Sequence, residues 1–275
     1  MTCKRIPLRD DDESVHLDTY ICTYDGDMTT IRPRDAVIVL PGGGYSFLSE
    51  REAEPIARQF LAAGCNAFIL YYSLNENAKF PRPLVDVSRA ICHVREHAEE
   101  YHIDPDRIFL CGSSAGGHLS AAIGSLWHED YAKAYPEMPY GMNRPNGTIL
   151  CYPLISLVEP KTKATLDCIC KLIAGVGEDA PFWENACSIE RMVSDKTAPA
   201  FLWQTQTDNC VPIENALVYM EAMLRHGVPL ELHMYPFGRH GLSIARYETS
   251  HGYEENVDAH IATWMDLALE WMKLV

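Results

Sequence analysis

Segments with the character of buried β-strands alternate with amphipathic helical segments along almost the whole of this 275-residue chain. Residues 36–40, 67–71 and 107–111 are mainly apolar runs, as is typical of strands that are covered on both faces. Between two of them, residues 84–101 carry apolar side chains in steps of three and four, the period of an amphipathic helix. Since parallel strands are joined by crossover helices, the alternation predicts an α/β fold with a mostly parallel sheet and helices on both faces.

The same pattern continues over the rest of the chain. It predicts an antiparallel edge strand at 15–24, further strands at 148–152, 200–204 and 230–235, and helices at 52–63, 114–127, 213–226 and 256–273. Between residues 156 and 197 the strands stop, and helical turns mix with glycine and proline. We interpret 1–275 as a single domain in which 156–197 is a small inserted helical cap, because insertions in the loops of a rigid sheet commonly shape binding sites. A structural elaboration without substrate contact is the alternative.

The charge balance excludes some classes of partner. The chain has 23 Lys and Arg against 38 Asp and Glu, a net charge of -15. Such a chain is repelled by polyanions, so we expect neither nucleic acid nor an anionic membrane as a partner. Four acidic residues at 10–13 follow the basic pair Lys4 and Arg5, so the sequence predicts no secretory signal, and it has no apolar run long enough to cross a bilayer.

The ten cysteines do not form a recognisable metal or disulfide pattern. Cys65, Cys111 and Cys151 lie in or beside strand-like runs and are expected to be small buried residues. The chain contains no CxxC pair, and Cys168 with Cys170 alone makes a poor metal site. We therefore expect free thiols, a cytoplasmic location and no metal.

Residues 112–116 read G-S-S-A-G and match the G-x-S-x-G pattern of a nucleophile elbow. The motif stands between a predicted strand and a predicted helix, which is the context that it needs, and its glycines avoid collisions with neighbouring backbone. Ser114 is therefore the predicted nucleophile, and a turn that only joins strand to helix is the alternative. Ser113 is off the central position. His118 is expected to pack or hydrogen-bond locally, since the catalytic histidine of this fold follows the acid in the chain.

Three consecutive glycines, Gly42, Gly43 and Gly44, follow the predicted strand that ends at Leu40. Glycines there allow the backbone to approach a ligand closely. In hydrolases with a nucleophile elbow, this loop supplies one N–H group to the oxyanion hole, and the residue after the nucleophile, here Ala115, supplies another. The predicted donors are thus Gly43, Gly44 and Ala115. A phosphate-binding or dinucleotide-binding loop is the alternative, but its lysine or its third glycine is absent.

Candidates for the acid and the base follow the last two predicted strands, in the order serine, acid, histidine. Asp208 comes just after strand 200–204, where capping of the next helix is the alternative role. His240 follows strand 230–235, where a solvated loop histidine is the alternative. His251 competes for the role of base, but it lies farther from the strand end. We predict that His240 takes the proton of Ser114 and that Asp208 orients the imidazole.

Motifs in a fixed order run from about residue 35 to 245. They are PGGGY at 41–45, EPIA at 54–57, PL at 83–84 with Asp86, SSAGGHL at 113–119, PAFLW at 199–203, Asp208 with VP at 211–212, and HGL at 240–242. In these motifs the chain resembles α/β-hydrolases of the acetyl esterase, xylan esterase and feruloyl-esterase-like kind. The glycine loop resembles the HGGG of hormone-sensitive-lipase-like esterases, with Pro41 in place of His. Asn209 and Ser113 depart from residues common in these proteins, which leaves the triad intact but bears on acyl and alcohol preference.

The resemblance implies the α/β-hydrolase fold and a serine carboxylesterase that needs no metal or organic cofactor. We expect a small-molecule ester with a short acyl group as substrate, and the resemblance alone suggests acetyl esters on plant-derived sugars. Tyr45, Phe47 and Trp183 are candidate walls of a small pocket, and packing of the insertion onto the sheet is their alternative role.

Two other functions remain open at this stage. A serine peptidase of the prolyl-oligopeptidase kind shares the fold and the triad, but such enzymes usually carry a propeller domain for which this chain is too short. A non-catalytic binding protein that keeps the hydrolase fold usually lacks a triad residue, and all three are present here.

Overall fold

A computed structural model describes residues 1–23 and 32–275 of the chain. Its strands are β1 (Thr2–Pro7), β2 (His16–Ile21), β3 (Arg34–Leu40), β4 (Asn66–Tyr71), β5 (Ile103–Ser113), β6 (Gly147–Cys151), β7 (Ala200–Thr205) and β8 (Leu230–Tyr235). Within the described residues they form one sheet in the order β1-β2-β4-β3-β5-β6-β7-β8. β2 pairs antiparallel with both β1 and β4. The other pairs in the sheet are parallel, so β3 to β8 all run in one direction.

Seven α-helices connect or follow these strands in the described part of the chain. They are α1 (Glu54–Ala62), α2 (Arg82–Glu96), α3 (Ala115–Leu126), α4 (Pro160–Ala174), α5 (Ala180–Ala186), α6 (Glu214–Arg225) and α7 (Trp264–Met272). α1 is followed by Gly64 at a φ of 98°, which agrees with the helix end predicted there. None of the helices in the described ranges combines the length and apolar character needed to cross a bilayer.

Alternate residues of the central strand β3 belong to two separate cores. Ile38 and Leu40 pack in a core that includes residues of α2, α3 and α6. Val37 and Val39 pack in a second core with residues of α1 and α7. All four side chains are fully buried. Because both faces of the sheet are covered, the strand carries a continuous apolar run, as the sequence predicted.

The edge of the sheet differs from the prediction. The strand expected at 15–24 is β2, which ends at Ile21, and residue 24 lies outside the described residues. β1 was missed, because most of its side chains are exposed and so show no apolar alternation. Its place in the sheet depends on pairing with β2, which a local pattern does not reveal.

Two helices are shorter than predicted. α2 ends at Glu96 instead of continuing to Tyr101, because the chain passes through hydrogen-bonded turns to His102, whose φ is 51°. α7 begins at Trp264 instead of near residue 256. Before it, Asp258 Oδ1 accepts the N–H groups of residues 260 and 261. These side-chain hydrogen bonds give the backbone an alternative to a regular helix.

Candidate active site

Ser114 lies in the turn between β5 and α3, with a φ of 53° and a ψ of -114°. This is a strained conformation for a residue with a side chain. The turn is held from both sides, because the Ser114 N–H donates to the Cys151 carbonyl at 2.9 Å and its own carbonyl accepts the His118 N–H at 2.9 Å. The sequence motif thus forms the sharp strand-to-helix turn that it predicted.

The glycines beside Ser114 are required by close backbone contacts. A Cβ atom on Gly116 would lie 2.0 Å from the Leu40 carbonyl oxygen, and one on Gly112 would lie 2.2 Å from the Gly116 carbonyl oxygen. Both distances are far below van der Waals contact. The structure therefore gives the reason for both flanking glycines of the motif, and α3 packs directly under the end of β3.

The structure brings Ser114, His240 and Asp208 together in one hydrogen-bonded row. His240 Nε2 lies 2.8 Å from Ser114 Oγ, and His240 Nδ1 lies 2.8 Å from Asp208 Oδ2. The Asp208 side chain is only 1% exposed, whereas that of His240 is 15% exposed. His251, the competing histidine, lines the nearby cavity but does not take this position. The arrangement allows His240 to accept a proton from Ser114 while Asp208 holds the imidazole.

The two oxygens of Asp208 have separate roles. Oδ2 faces His240, while Oδ1 accepts the N–H groups of Cys210 and Val211 at 2.8 and 2.9 Å. The neighbouring Asn209 also contributes, because its Oδ1 accepts the His240 N–H at 3.0 Å. Asp208 therefore has the capping role that was its alternative, through Oδ1, and contacts His240 at the same time through Oδ2.

The glycine loop and His240 line the same cavity. Gly43 and Gly44 have φ values of 133° and 60°, which favour glycine. A Cβ on Gly43 would also lie 2.0 Å from the Phe47 carbonyl oxygen. Gly43, Gly44 and Ala115 all line the cavity that contains Ser114. The predicted oxyanion donors are thus gathered around the serine.

The cavity beside Ser114 has a volume of about 830 Å³. Phe47 lines it, as predicted. Its apolar wall combines residues of the glycine loop, of α4 and of two other loops, namely Phe47, Leu48, Leu154, Leu166, Ile169 and Val211. The space is larger than an acetyl group alone requires, so most of it is available to the rest of a substrate.

Tyr45 and Trp183 do not line this cavity, and their prediction as pocket walls is wrong. Tyr45 is fully buried, and its hydroxyl lies 2.8 Å from His118 Nδ1. Trp183 packs against the aromatic rings of Tyr131, Phe80 and Phe182. Both therefore have the packing role that was the alternative.

His118 is expected to pack, and it does so between distant elements. Its Nε2 lies 2.8 Å from the Cys187 carbonyl oxygen, and its Nδ1 contacts Tyr45. Burial lowers the pKa of His118 to about 4. The ring is thus neutral near pH 7 and ties the glycine loop and the insertion to α3.

A buried carboxylate that the sequence patterns did not indicate, that of Glu52, lies in the same region. Its Oε2 accepts the Gly42 N–H at 2.9 Å, and its Oε1 accepts the Tyr152 hydroxyl at 2.7 Å. No sequence signal marks it, because a glutamate just before a helix is ordinarily a solvated first-turn residue. Within residues 1–23 and 32–275, no group of three or more His, Cys, Asp or Glu side chains is placed to hold a metal ion.

The sequence of this chain matches a protein family and two characterised relatives. The sequence profile of the family described as BD-FAE matches residues 24–223. The chain is 34% identical over 223 residues to endo-1,4-beta-xylanase B of Butyrivibrio fibrisolvens. This match covers 80% of this chain and 34% of that protein. The chain is 30% identical over 233 residues to the acetylxylan esterase of Xylanibacter ruminicola, covering 84% of this chain and 45% of that protein. The chain therefore spans between a third and a half of the length of these curated relatives.

Solved structures match over nearly the whole chain. The acetyl ester-xyloside bifunctional hydrolase from Caldicellulosiruptor lactoaceticus has a TM-score of 0.81 and 34% identity, and the match covers 98% of this chain and 96% of that one. A carboxylesterase from Lactobacillus plantarum has a TM-score of 0.85 and 30% identity, covering 100% and 98% of the two chains. The similarity thus includes the sheet, the helices on both faces and the insertion.

Proposed function

This chain belongs to the BD-FAE family of α/β-hydrolases, and we propose that it is a carboxylic ester hydrolase whose catalytic residues are Ser114, His240 and Asp208. The observation that carries the proposal is the row of two hydrogen bonds, each of 2.8 Å, that joins the three side chains. In this row the serine is on the strained turn, the histidine is beside it, and the acid is buried behind the histidine.

In the proposed mechanism, His240 takes the proton of Ser114 as its Oγ attacks the acyl carbonyl carbon. Asp208 stabilises the imidazolium ion and keeps the ring in the productive orientation. The N–H groups of Gly43 or Gly44 and of Ala115 bind the oxyanion. His240 then protonates the departing alkoxide, and an acyl group remains on Ser114. Water activated by His240 cleaves the acyl-enzyme and restores the serine.

The proposed substrates are esters of small acyl groups, in particular acetyl esters on plant-derived sugars. The names of two relatives, an acetylxylan esterase and an acetyl ester-xyloside hydrolase, support this class. A second, mainly polar cavity of about 230 Å³ adjoins the first and shares Arg51, His240 and His251 with it. Its other lining residues offer hydrogen-bonding groups to sugar hydroxyls, namely Asn209, Arg239, Tyr253 and Asn256.

We also propose that 156–197 acts as a cap within a single domain of 1–275. α4 lies in this segment, and its Leu166, Cys168 and Ile169 line the cavity. A cytoplasmic location belongs to the same proposal, supported by the free thiols of all ten cysteines.

The test compares three substrate classes on the same preparation. We expect release of acetate from acetylated xylo-oligosaccharides, hydrolysis of p-nitrophenyl acetate, and no cleavage of a peptide anilide. A fluorophosphonate probe is expected to label Ser114, and mass spectrometry of the labelled peptide locates the site. Cleavage of the anilide in preference to the ester would instead support a peptidase, and absence of turnover and labelling would support a binding protein.

A further inference from the structure

Glu52 is a buried carboxylate beside the proposed catalytic residues. The residue is only 3% exposed. Both of its oxygens accept hydrogen bonds from uncharged donors, the Gly42 N–H and the Tyr152 hydroxyl. Burying a carboxylate is costly, so a buried one is expected to be hydrogen-bonded and often has a specific role.

One oxygen of Glu52 holds the start of the glycine loop. Oε2 accepts the N–H of Gly42 at 2.9 Å, immediately before the proposed oxyanion donors. This oxygen is also near the nucleophile: a Cβ atom added to Gly42 would lie 2.6 Å from Glu52 Oε2 and 2.9 Å from Ser114 Cβ. The Glu52 carboxylate and the Ser114 side chain therefore both border the small space that a side chain at residue 42 would fill.

The other oxygen of Glu52 reaches the histidine loop through Tyr152. The Tyr152 hydroxyl donates to Oε1 at 2.7 Å and accepts the Ser243 N–H at 3.0 Å. The Tyr152 ring also stands edge-on to the His240 ring, with centroids 5.0 Å apart. Burial and the charge of Glu52 raise the pKa of Tyr152, so that the hydroxyl remains a donor.

We propose that Glu52 is a positioning residue that fixes the glycine loop and the His240 loop relative to each other, and whose charge stabilises the His240 imidazolium ion. The inference rests on the proposed function, because it assigns Glu52 a role in the reaction of Ser114. Glu52 acts through Gly42 and Tyr152 and touches neither acyl group nor nucleophile. Asp208 orients the imidazole directly, whereas Glu52 adds a second negative charge behind the neighbouring Tyr152.

Several other ionisable groups surround His240 and Glu52, and they remain in every variant below. Around His240 they are Asp208, Cys210, Arg239, Arg51 and His251, and around Glu52 they are Tyr152, Tyr72 and Cys111. Since they are the same in each protein, a change in the pH profile between wild type and a Glu52 variant reports on Glu52 itself.

Glu52→Gln keeps the shape of the side chain and removes its charge. We expect kcat for p-nitrophenyl acetate to fall at least tenfold with little change in KM. The acid limb of the kcat/KM profile should move to lower pH, because the imidazolium ion loses a nearby negative charge. Glu52→Asp keeps the charge but shortens the side chain, so its acid limb should stay near that of wild type although kcat falls.

Glu54→Gln is the matched control, because Glu54 lies two residues further on, is exposed, and accepts a hydrogen bond from the Tyr20 hydroxyl. It should leave kcat and the acid limb unchanged. If Glu52→Gln does not fold, Tyr152→Phe tests the same link by removing only the hydroxyl, and kcat should fall at least fivefold. Unchanged kcat and acid limb in Glu52→Gln, or unchanged kcat in Tyr152→Phe, overturns the inference. Wild-type activity that survives Ser114→Ala would instead refute the proposed function.

Discussion

His240 Nε2 lies 2.8 Å from Ser114 Oγ, although 126 residues separate the two along the chain. Ser114 follows β5 and His240 follows β8, and both strands run parallel within the same sheet. Because the carboxyl ends of parallel strands meet at one edge of a sheet, loops that are distant in sequence become neighbours there. Asp208 follows β7, a strand that lies between β5 and β8 in the sheet, and so reaches the same edge.

Ser114→Ala removes the proposed nucleophile and should lower kcat for p-nitrophenyl acetate by about 10⁴-fold or more. Thermal unfolding should be close to that of wild type, since only a small hydroxyl group is lost. Ser113→Ala is the control, because Ser113 is the buried neighbour on the same turn. It should retain most of the activity. Equal losses in the two variants would show that the turn as a whole is sensitive and that Ser114 has no special role.

Asp208→Asn separates the two roles of this side chain. An asparagine oxygen can still accept the N–H groups of Cys210 and Val211, so the cap should survive and stability should change little. The bond to His240 Nδ1 loses its charge and favours the wrong tautomer of the ring, so kcat should fall by roughly 10³- to 10⁴-fold. The measurement is steady-state kinetics beside a denaturant unfolding curve. Near-normal kcat in the folded variant would leave Asp208 as a cap only.

Acyl-chain selectivity should depend on Ile169. Its Cδ1 atom would lie 3.2 Å from a Cβ atom built on Gly44, so the side chain closes the space beside the glycine loop. We expect kcat/KM in a p-nitrophenyl ester series to be highest for acetyl or propionyl and to fall by octanoyl, because a longer chain displaces the carbonyl from the oxyanion donors. Ile169→Ala should shift the maximum toward butyryl or hexanoyl.

Lys171→Ala is the control for that series, because Lys171 is exposed on the same helix and pairs with Asp167. It should leave the series unchanged. A wild-type maximum at octanoyl or beyond would contradict the preference for small acyl groups without affecting the triad.

Gly116→Ala should destabilise the protein by about 3 kcal/mol or more, because the new methyl group would meet the Leu40 and Pro41 carbonyl oxygens, which belong to backbone and move little. Gly124→Ala in the same helix is the comparison. There the nearest atom, Thr148 Cγ2, would be 3.2 Å away, and alanine favours the helix. Urea unfolding of both variants checks this prediction. Similar small effects would mean that the backbone around Gly116 can adjust.

Acid should destabilise the folded protein partly through His118. The folded protein holds this histidine neutral down to about pH 4, whereas the unfolded chain takes up the proton near its ordinary pKa of 6.5. The stability that the neutral ring contributes is therefore present above pH 6.5 and is lost as pH falls toward 4, by up to about 3 kcal/mol.

His118→Gln removes this titration while keeping a polar side chain. Its free energy of unfolding should depend less on pH between 6.5 and 4 than that of wild type. The readout is urea unfolding at several pH values in this range. A difference between the two proteins that stays constant with pH would show that His118 does not titrate on unfolding.

Much of the fold, and the places of the three proposed catalytic residues after their strands, could be predicted from the sequence, because each depends on a local pattern. Apolar runs and helical periodicity indicated the parallel strands and the crossover helices. Ser114 lies in a five-residue motif, and Asp208 and His240 each follow a recognisable strand. These signals are local because strand burial, helix amphipathicity and the sharp turn at the serine each impose residue types on adjacent positions.

Only the tertiary structure decided which residues surround the triad. Tyr45 was predicted to face substrate, but it is buried against His118, 73 residues away. Glu52 lies in no recognisable motif, yet it accepts a hydrogen bond from Tyr152, which is 100 residues away. The sequence by itself determined which residue types the loops at this edge of the sheet carry. Which side chains support that chemistry followed from packing between distant segments, since a buried polar group selects its partner by proximity in space and not by spacing along the chain.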